Sequence, residues 1–336
     1  MTRTKSKYDQ AEIDRIRETV VGMYSKIPWP STREADQEMG WRLRMLGVRK
    51  EDFAGKRVLE LGCGTGEYAL WYAANGAKEV LGVDLSEGSL QLANQKKEQA
   101  GLTNISFRKA DILNLDRDLF PDEAFDYAYS VGVLHHTGDP ESGFAELCRM
   151  TRPGGVVIVS LYNAYSRCLL RIKQNICKLL GGADIDKRAR IGQTLFPFFM
   201  ASMNKRYGKT NREAIAYDVF GFPHESIHTA EEVLQWFDRN QLSYIGAFGP
   251  LRIRDYFYAY SLPEYHQFKR TFSGFPLVQA ISWAMNRLSG VYRKNFQPED
   301  LKHFPRPTRT STLMTQLIWF IIGNRINCFT MAATKK

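Results

Sequence analysis

The chain has 336 residues, of which 44% are hydrophobic and 24% are charged, a composition typical of globular proteins with one large domain or two modest ones. No apolar run approaches the roughly 20 residues that a membrane-spanning helix needs; the run over 313–322 is interrupted by Thr315 and Gln316. The first ten residues are polar and the five cysteines form no C-x-x-C pair, so the sequence predicts a cytoplasmic protein without a disulfide framework or a zinc ribbon.

Charge is distributed unevenly along the chain. The formal net charge is +10, and residues 163–336 carry 25 Lys and Arg against 12 Asp and Glu. A basic half favours an anionic substrate, a nucleic acid or an anionic membrane surface, but surface charge that only keeps a protein in solution gives the same pattern. Composition alone leaves these alternatives open.

Residues 1–50 are predicted to form an N-terminal helical lid segment. A polar, helix-like stretch over 11–21 leads to Tyr24 and Trp29, and the prolines at 28 and 30 end the helix. Two interpretations are equally favoured. The aromatic pair either covers the site as part of the substrate pocket or holds the helix against the core.

Between residues 51 and 163, short apolar runs alternate with amphipathic stretches. This alternation predicts a parallel sheet with helices on both faces. The predicted strands are 57–61, 79–84, 105–109, 125–131 and 156–162.

A glycine-rich turn follows the first predicted strand. Gly62, Gly64 and Gly66 alternate along the chain, and only glycine lets the backbone turn this sharply and approach a ligand closely. The segment also satisfies the dinucleotide-binding fingerprint, with Asp84 following at the end of the second predicted strand. The glycines alone therefore leave two cofactor classes open, a nicotinamide or flavin dinucleotide and S-adenosylmethionine.

Five motifs in register resemble those of the class I S-adenosylmethionine-dependent methyltransferases. E-L-G-C-G-T-G at 60–66 looks like their first motif, and V-D-L-S at 83–86 is similar to the second. A-D-I at 110–112, the run over 125–136 and R-P-G-G at 152–155 resemble the others in order and spacing. The resemblance implies an α/β fold with a doubly wound, mostly parallel seven-stranded sheet, whose last strand inserts antiparallel beside the sixth.

The resemblance also implies a binding site for the cofactor S-adenosylmethionine, with no metal. Asp84 would accept hydrogen bonds from both ribose hydroxyls, Asp111 would hold the adenine amino group, and Ile112 would cover the ring. The complete set of cofactor-binding residues implied in this way is Glu60, Gly62, Cys63, Gly64, Gly66, Asp84, Leu85, Asp111, Ile112 and Ser130.

His135 and His136 are the candidates for a catalytic base. They follow the fourth predicted strand, at the carboxyl edge where ligands bind in open α/β sheets. Histidine titrates near neutral pH, and a base is needed when the methyl acceptor carries a proton. In the resembling family the pair also serves as a packing element at a helix start, and this second interpretation is favoured.

Residues 224–228 match the H-E-x-x-H pattern of zinc proteases. The pattern binds zinc only on a helix, where both histidines share one face. Because Pro223 precedes the segment and Thr229 opens a capping box with the acid three residues later, the segment is predicted to be a loop. His224 and His228 are therefore predicted to line the substrate pocket or to hold the loop by hydrogen bonds.

The C-terminal half contains two predicted cap insertions around the sixth strand. The first, over 164–228, begins with an amphipathic helix over 165–180. Residues 229–250 are predicted to form a core helix and the sixth strand, with the strand at 242–248. A second, aromatic-rich cap follows over 251–325. The last strand and tail occupy 326–336, with the strand at 327–332. Arg252 and Tyr256 complete the predicted pocket, whose aromatic content suits an apolar or ring-bearing molecule.

These features predict a methyltransferase that acts on a small or lipid-like metabolite in a capped pocket. The segment after the fourth strand lacks the Asn/Asp-Pro-Pro-aromatic motif of DNA amino-methyltransferases, and no cysteine is placed as the nucleophile of a cytosine C5 enzyme. RNA as the substrate, a non-catalytic subunit that binds S-adenosylmethionine, and contact with an anionic membrane surface stay open. The methylated atom and the oligomeric state are not encoded in these motifs.

Overall fold

A seven-stranded sheet organises the chain, in the order β3-β2-β1-β4-β5-β7-β6. The computed structural model describes residues 8–26, 35–207, 212–262, 297–321 and 328–336, with the isolated positions 280, 284 and 287. The strands are β1 (Arg57–Leu61), β2 (Glu79–Asp84), β3 (Ile105–Lys109), β4 (Phe125–Val131), β5 (Thr151–Tyr162), β6 (Leu242–Phe248) and β7 (Cys328–Lys335).

The pairing of the strands confirms the predicted fold class. β1 to β5 run parallel to one another, and β7 inserts antiparallel between β5 and β6. Two strands are longer than predicted. β5 begins at Thr151 rather than at 156, because Thr151 pairs with Phe125 before the register shifts. β7 continues to Lys335, which pairs with Leu242.

Helices cover both faces of this sheet. The helices are α1 (Gln10–Lys26), α2 (Ala35–Met45), α3 (Glu67–Ala74), α4 (Glu87–Gln99), α5 (Pro140–Met150), α6 (Cys168–Gly181), α7 (Ile185–Leu195), α8 (Pro197–Tyr207), α9 (Arg212–Ala216), α10 (Ala230–Arg239), α11 (Ile253–Ser261) and α12 (Arg309–Ile321). Leu59 and Leu61 enter the hydrophobic cluster on one face, and Val58 enters the cluster on the other, as the two-residue period of a strand requires. No helix of the described ranges is long and apolar enough to span a bilayer.

The segment between β5 and α10 forms a helical insertion with a core of its own. Helices α6 to α9 and a π-helical turn (Tyr217–Gly221) enclose a third cluster. Its buried members are Leu170, Cys177, Ala189, Met200, Ile215, Ala216, Val219 and Phe220. The insertion therefore has hydrophobic support that is separate from the two clusters on the sheet.

Two details at helix ends differ from the sequence expectation. α1 continues to Lys26, so Tyr24 lies in its last turn, whereas Trp29 and the two prolines lie outside the described residues. At α10, Thr229 Oγ1 accepts from the Glu232 amide at 3.2 Å as predicted. The Glu232 carboxylate does not complete the capping box, because its Oε1 lies 3.0 Å from His228 Nδ1.

Candidate functional site

The glycine turn brings the ends of three strands together. The Gly62 amide donates to the Val83 carbonyl at 2.7 Å, and Gly62 has a φ of +80°. A Cβ at Gly62 would lie 2.4 Å from the Val133 side chain, so no larger residue fits there. Gly64, with a φ of +51°, has no heavy atom of the described residues within 4 Å of its Cβ position. The turn is therefore packed on one side and open on the other.

Asp84 lies beside the open side of this turn. Its Oδ2 accepts from the Gly64 amide at 2.8 Å and its Oδ1 accepts from the Ser86 amide at 2.8 Å. Burial raises the pKa of Asp84, while the amides of Ser86, Gly64 and Leu85 act against this rise. Each carboxylate oxygen retains a lone pair, so the pair of oxygens fits two adjacent hydroxyl donors of a ligand.

Asp111 is placed on the same edge, one strand further out. Its Oδ1 accepts from the Leu113 amide at 2.9 Å, and its Oδ2 accepts from Arg17 Nη1 at 2.8 Å. Sequence reasoning missed Arg17, since nothing near it in the chain indicates a partner 94 residues away. Ile112 is buried and packs into the cluster beneath this edge.

The other residues predicted to bind the cofactor line or support the turn. The Tyr129 hydroxyl donates to Glu60 Oε2 at 3.3 Å, and burial raises the pKa of Glu60 well above its ordinary value. The Ser130 hydroxyl donates to the Leu61 carbonyl at 2.8 Å. Three of these side chains, Glu60, Cys63 and Ser130, are buried, Leu85 is half-buried, and Gly66 begins α3 with a φ of +83°.

Helix α1 covers this edge of the sheet. A Cβ at Gly138 would lie 2.9 Å from Ile13 Cγ1, and a Cβ at Gly88 would lie 3.2 Å from the Ser25 carbonyl. Tyr24 makes an edge contact with the His136 ring at 6.3 Å between centroids. The helix therefore reaches from the Asp111 side to the histidines after β4.

His135 and His136 are packed rings with lowered pKa values. His135 stacks on Tyr162 with centroids 3.6 Å apart, and His136 lies 4.0 Å from Phe222. Burial lowers the pKa of His135 well below its ordinary value and lowers the pKa of His136 to about 3. Both rings are thus neutral near pH 7 and weak as bases, so this geometry favours the packing interpretation over the catalytic one.

The segment over 224–228 is a loop, as predicted, and it docks on the histidine pair. The Ser226 amide donates to the His135 carbonyl at 2.7 Å, and the His228 amide donates to the Tyr162 carbonyl at 2.8 Å. His136 Nδ1 lies 3.2 Å from the His224 carbonyl, and His228 Nε2 lies 2.8 Å from Ser226 Oγ. Within the described ranges, no group of three or more His, Cys, Asp or Glu is placed to hold a metal ion.

Beside the histidines lies a set of buried and half-buried polar side chains, here called the acceptor-side cluster: Tyr24, Tyr162, Arg167, Asp218 and Glu225. Sequence reasoning named Tyr24 but missed the other four. Arg167 Nη2 lies 2.7 Å from Glu225 Oε2, with side-chain exposures of only 4% and 9%. The Arg167 guanidinium lies 3.5 Å from the centroid of the Tyr162 ring. The Tyr24 hydroxyl donates to Asp218, and burial raises the pKa of Asp218 to about 7.

Several buried polar atoms around this cluster have no hydrogen-bond partner among the residues that the structure describes. They are both ring nitrogens of His135, Arg167 Nε, Glu225 Oε1 and Asn163 Nδ2. Buried polar groups in native proteins are nearly always paired. Their concentration next to Tyr162 therefore fits a site for a polar group of a ligand.

Two further residues that the sequence assigned to the substrate pocket, Arg252 and Tyr256, form hydrogen bonds with other parts of the chain. Arg252 Nε lies 2.8 Å from Asp255 Oδ1, and its Nη2 donates to the Ile245 carbonyl at 2.9 Å, so its guanidinium stabilises the start of α11. The Tyr256 hydroxyl donates to the Thr315 carbonyl of α12 at 3.5 Å. The structure brings Tyr24 to the histidines but does not join Arg252 or Tyr256 to them.

Comparison with known proteins agrees with this geometry. Residues 52–214 match a family model described as a methyltransferase domain. The chain is 32% identical over 156 residues to the methyltransferase GfsG of Streptomyces halstedii, covering 46% of this chain and 55% of that protein. It is 30% identical over 154 residues to a demethylmenaquinone methyltransferase of Geobacillus kaustophilus, covering 44% of this chain and 62% of that one.

A solved structure extends the likeness in fold beyond the matched domain. PKMT2 from Rickettsia typhi superposes with a TM-score of 0.55 at 16% identity, over 92% of this chain and 54% of that one. The chain spans between half and two thirds of the length of the two curated relatives. The likeness to PKMT2 shows the fold alone.

Proposed function

Because the chain contains a class I S-adenosylmethionine-dependent methyltransferase domain, we propose that it methylates a small or lipid-like metabolite at a group that carries a proton. This proposal rests on one edge of the sheet, which α1 covers and which has two chemically different halves. Asp84 and Gly64 form the cofactor half. Asp218, Arg167 and Glu225 lie in the acceptor half.

On the cofactor side, the chain's residues would bind S-adenosylmethionine and shield it from water. S-adenosylmethionine, when bound, supplies a methyl group that is already activated by its sulfonium. Asp84 would accept hydrogen bonds from the ribose hydroxyls, and Asp111 would accept one from the adenine amino group. The Arg17 contact with Asp111 holds α1 across this edge, so the helix would exclude water from the transfer.

On the acceptor side, Asp218 would take the proton. A carboxylate whose pKa is about 7 is half deprotonated at neutral pH and matches the requirement for a general base. Asp218 would accept the proton that the acceptor loses when it receives the methyl group that S-adenosylmethionine would supply. Tyr24 would orient that carboxylate, and Arg167 and Glu225 would bind polar groups of the acceptor.

The substrate class follows from the surroundings of these groups. Tyr162, Phe222 and the His136 ring form an aromatic wall next to the polar cluster, which suits a ring-bearing or partly apolar molecule. The Geobacillus relative is named for demethylmenaquinone, and this supports a small or lipid-like acceptor. An RNA would need an exposed basic groove rather than a buried polar cluster.

Isothermal titration tests the cofactor half. We expect wild-type protein to bind S-adenosylmethionine but not NADH, and we expect Asp84→Ala to abolish this binding. Asp118→Ala, which removes an exposed carboxylate, is the matched control and should bind as the wild type does. Binding of NADH alone would overturn the proposal in favour of an oxidoreductase.

A labelling experiment tests the acceptor half. The protein is incubated with methyl-labelled S-adenosylmethionine and either a small-molecule and lipid extract or purified RNA. Label in the extract, lost in Asp84→Ala, supports the proposal. Label in RNA alone would point to an RNA-modifying enzyme, and cofactor binding without any labelling would point to a non-catalytic subunit.

A further inference from the structure

The outer face of α6 is apolar and exposed. Leu170, Cys177 and Gly181 form the buried side of the helix, and Leu170 and Cys177 enter the third hydrophobic cluster. Five large apolar side chains point away from it, at exposures of 38% to 84%. They are Leu169, Ile172, Ile176, Leu179 and Leu180. At about 100° per residue, they occupy one sector roughly 100° wide, which is a continuous stripe rather than scattered exposure.

Basic side chains flank this stripe on both sides. By the same helical geometry, Lys173 lies about 20° from one edge of the stripe, and Arg171 and Lys178 lie about 80° to 100° from the other, beyond Asn175. Helix α6 contains no Asp or Glu. The charge extends beyond the helix, since residues 164–216 carry 11 Lys and Arg against 3 Asp and Glu. On the Lys173 side, Lys173 Nζ lies 4.7 Å from the Phe199 ring, and the neighbouring Phe198 is 91% exposed.

The apolar stripe of α6 and the basic residues beside it together indicate which kind of partner binds this surface. A contiguous exposed apolar patch marks an interaction surface, but a second copy of this chain would bring the same positive flanks face to face. A bilayer with anionic lipids presents phosphates to the flanking cations and acyl chains to the stripe, at the depth where interfacial helices lie. We propose that α6 and the adjoining Phe198 form a docking surface for an anionic membrane.

Docking at this surface would bring the bilayer close to the acceptor side of the site. α6 begins at Cys168, directly after Arg167, whose guanidinium pairs with Glu225 in the acceptor-side cluster. A lipid-like acceptor would then reach the cluster from the membrane without crossing bulk water. This consequence rests on the proposed function, whereas the docking itself does not.

Vesicle flotation tests the proposal with full-length protein. Vesicles of phosphatidylcholine alone are compared with vesicles of phosphatidylcholine and phosphatidylglycerol, each at low and at high salt. We expect binding to the anionic vesicles only, and weaker binding at high salt because the cationic flanks are screened. Binding of both vesicle types alike, or of neither, would overturn the proposal.

Substitutions assign the binding to the stripe. The double variant Ile172→Ser/Leu179→Ser should bind anionic vesicles about a hundredfold more weakly, at about tenfold for each buried side chain. Leu119→Ser is the matched control, because Leu119 is as exposed as Ile172, at 57%, and lies outside α6. It should bind as the wild type does, and equal binding by the double variant would overturn the assignment.

Two further readouts separate the other outcomes. Light scattering without vesicles reports self-association, and a dimer that the double variant abolishes would assign the stripe to a second copy instead. Titration with S-adenosylmethionine should give the same affinity for wild type and double variant. Loss of cofactor binding in the wild type would contradict the proposed function while leaving the vesicle result intact.

Discussion

The cofactor side and the acceptor side of this sheet edge are built in different ways. On the cofactor side, Asp84 and Gly64 lie 20 residues apart, at the ends of neighbouring parallel strands, and the contact between them uses a backbone amide. On the acceptor side, Tyr24, Arg167, Asp218 and Glu225 come from separate segments of the chain and meet through their side chains.

The two sides are sensitive to different kinds of substitution. A site made of backbone and tight turns is sensitive to the volume and conformation of single residues. A site made of buried charges is sensitive to the loss of either partner, because the remaining charge is left in a medium that solvates it poorly. Substitutions on the two sides should therefore have different consequences, and five predictions, in order of decreasing effect, test this.

The largest effect is expected for Arg167→Met. The variant leaves Glu225 buried without its cation, and breaking one partner of a buried pair typically costs about 3 to 5 kcal/mol in the free energy of unfolding. Urea denaturation followed by circular dichroism measures this loss. The double variant Arg167→Met/Glu225→Gln is the control, and it should recover most of the stability because no unpaired charge remains. A loss below about 1 kcal/mol in the single variant would contradict a buried, closed pair.

Asp218→Asn should lower activity while leaving cofactor binding intact. Removing a general base costs about a hundredfold or more in turnover. The wild-type rate should rise as pH passes through about 7, where Asp218 loses its proton, and the variant should lack this rise. The S-adenosylmethionine affinity of both proteins, measured by titration, should agree. A pH profile that is unchanged in the variant would remove Asp218 from the proposed mechanism.

The same carboxyl makes a prediction about stability and pH. Its pKa is raised from 3.8 to about 7 on folding because burial disfavours the charged form. The folded state therefore binds more protons than the unfolded state between about pH 4 and pH 7, and the Asp218 contribution to stability declines as pH rises through this window. Unfolding free energies measured across it should decline less steeply for Asp218→Asn than for the wild type.

Alanine substitutions at Gly62 and at Gly64 should separate an effect on folding stability from an effect on cofactor binding. Both glycines have positive φ, which costs an alanine about 1 kcal/mol. At Gly62 the new Cβ would also lie 2.4 Å from Val133, so this variant should lose considerably more stability. At Gly64 no heavy atom in the described part of the chain lies within 4 Å of the new Cβ, so the protein should stay folded and lose affinity for S-adenosylmethionine. Thermal melts and titrations of both variants provide the comparison, which fails if Gly64→Ala binds the cofactor normally.

The difference between the two sides also explains how much of each side could be predicted from the sequence. The parallel strands, the glycine turn and the position of Asp84 could be inferred because each depends on local period or on motifs at fixed spacing. The antiparallel last strand was implied by the family resemblance. The loop over 224–228 could be inferred because Pro223 and Thr229 bound it. The pairing of Arg167 with Glu225 could not, since 58 residues separate them and no periodicity links a helix start to a loop. The contacts of Arg252 with Asp255 and with the Ile245 carbonyl could not be inferred either, because the sequence showed only a basic residue near a predicted pocket.

The smallest effect is expected where the two sides are joined, at Arg17 of α1. Arg17 contacts Asp111 at 2.8 Å, and the two side chains are 36% and 18% exposed, so solvent screens the pair and its contribution is at most about 1 kcal/mol. Arg17→Gln should weaken S-adenosylmethionine binding by a few fold, because α1 is held less firmly across the cofactor edge. Arg15→Gln is the matched control, since Arg15 pairs with Glu12 inside the same helix and should leave the affinity unchanged. Tighter binding by Arg17→Gln would instead mean that Arg17 competes with the adenine amino group for Asp111, and that α1 must withdraw before the cofactor enters.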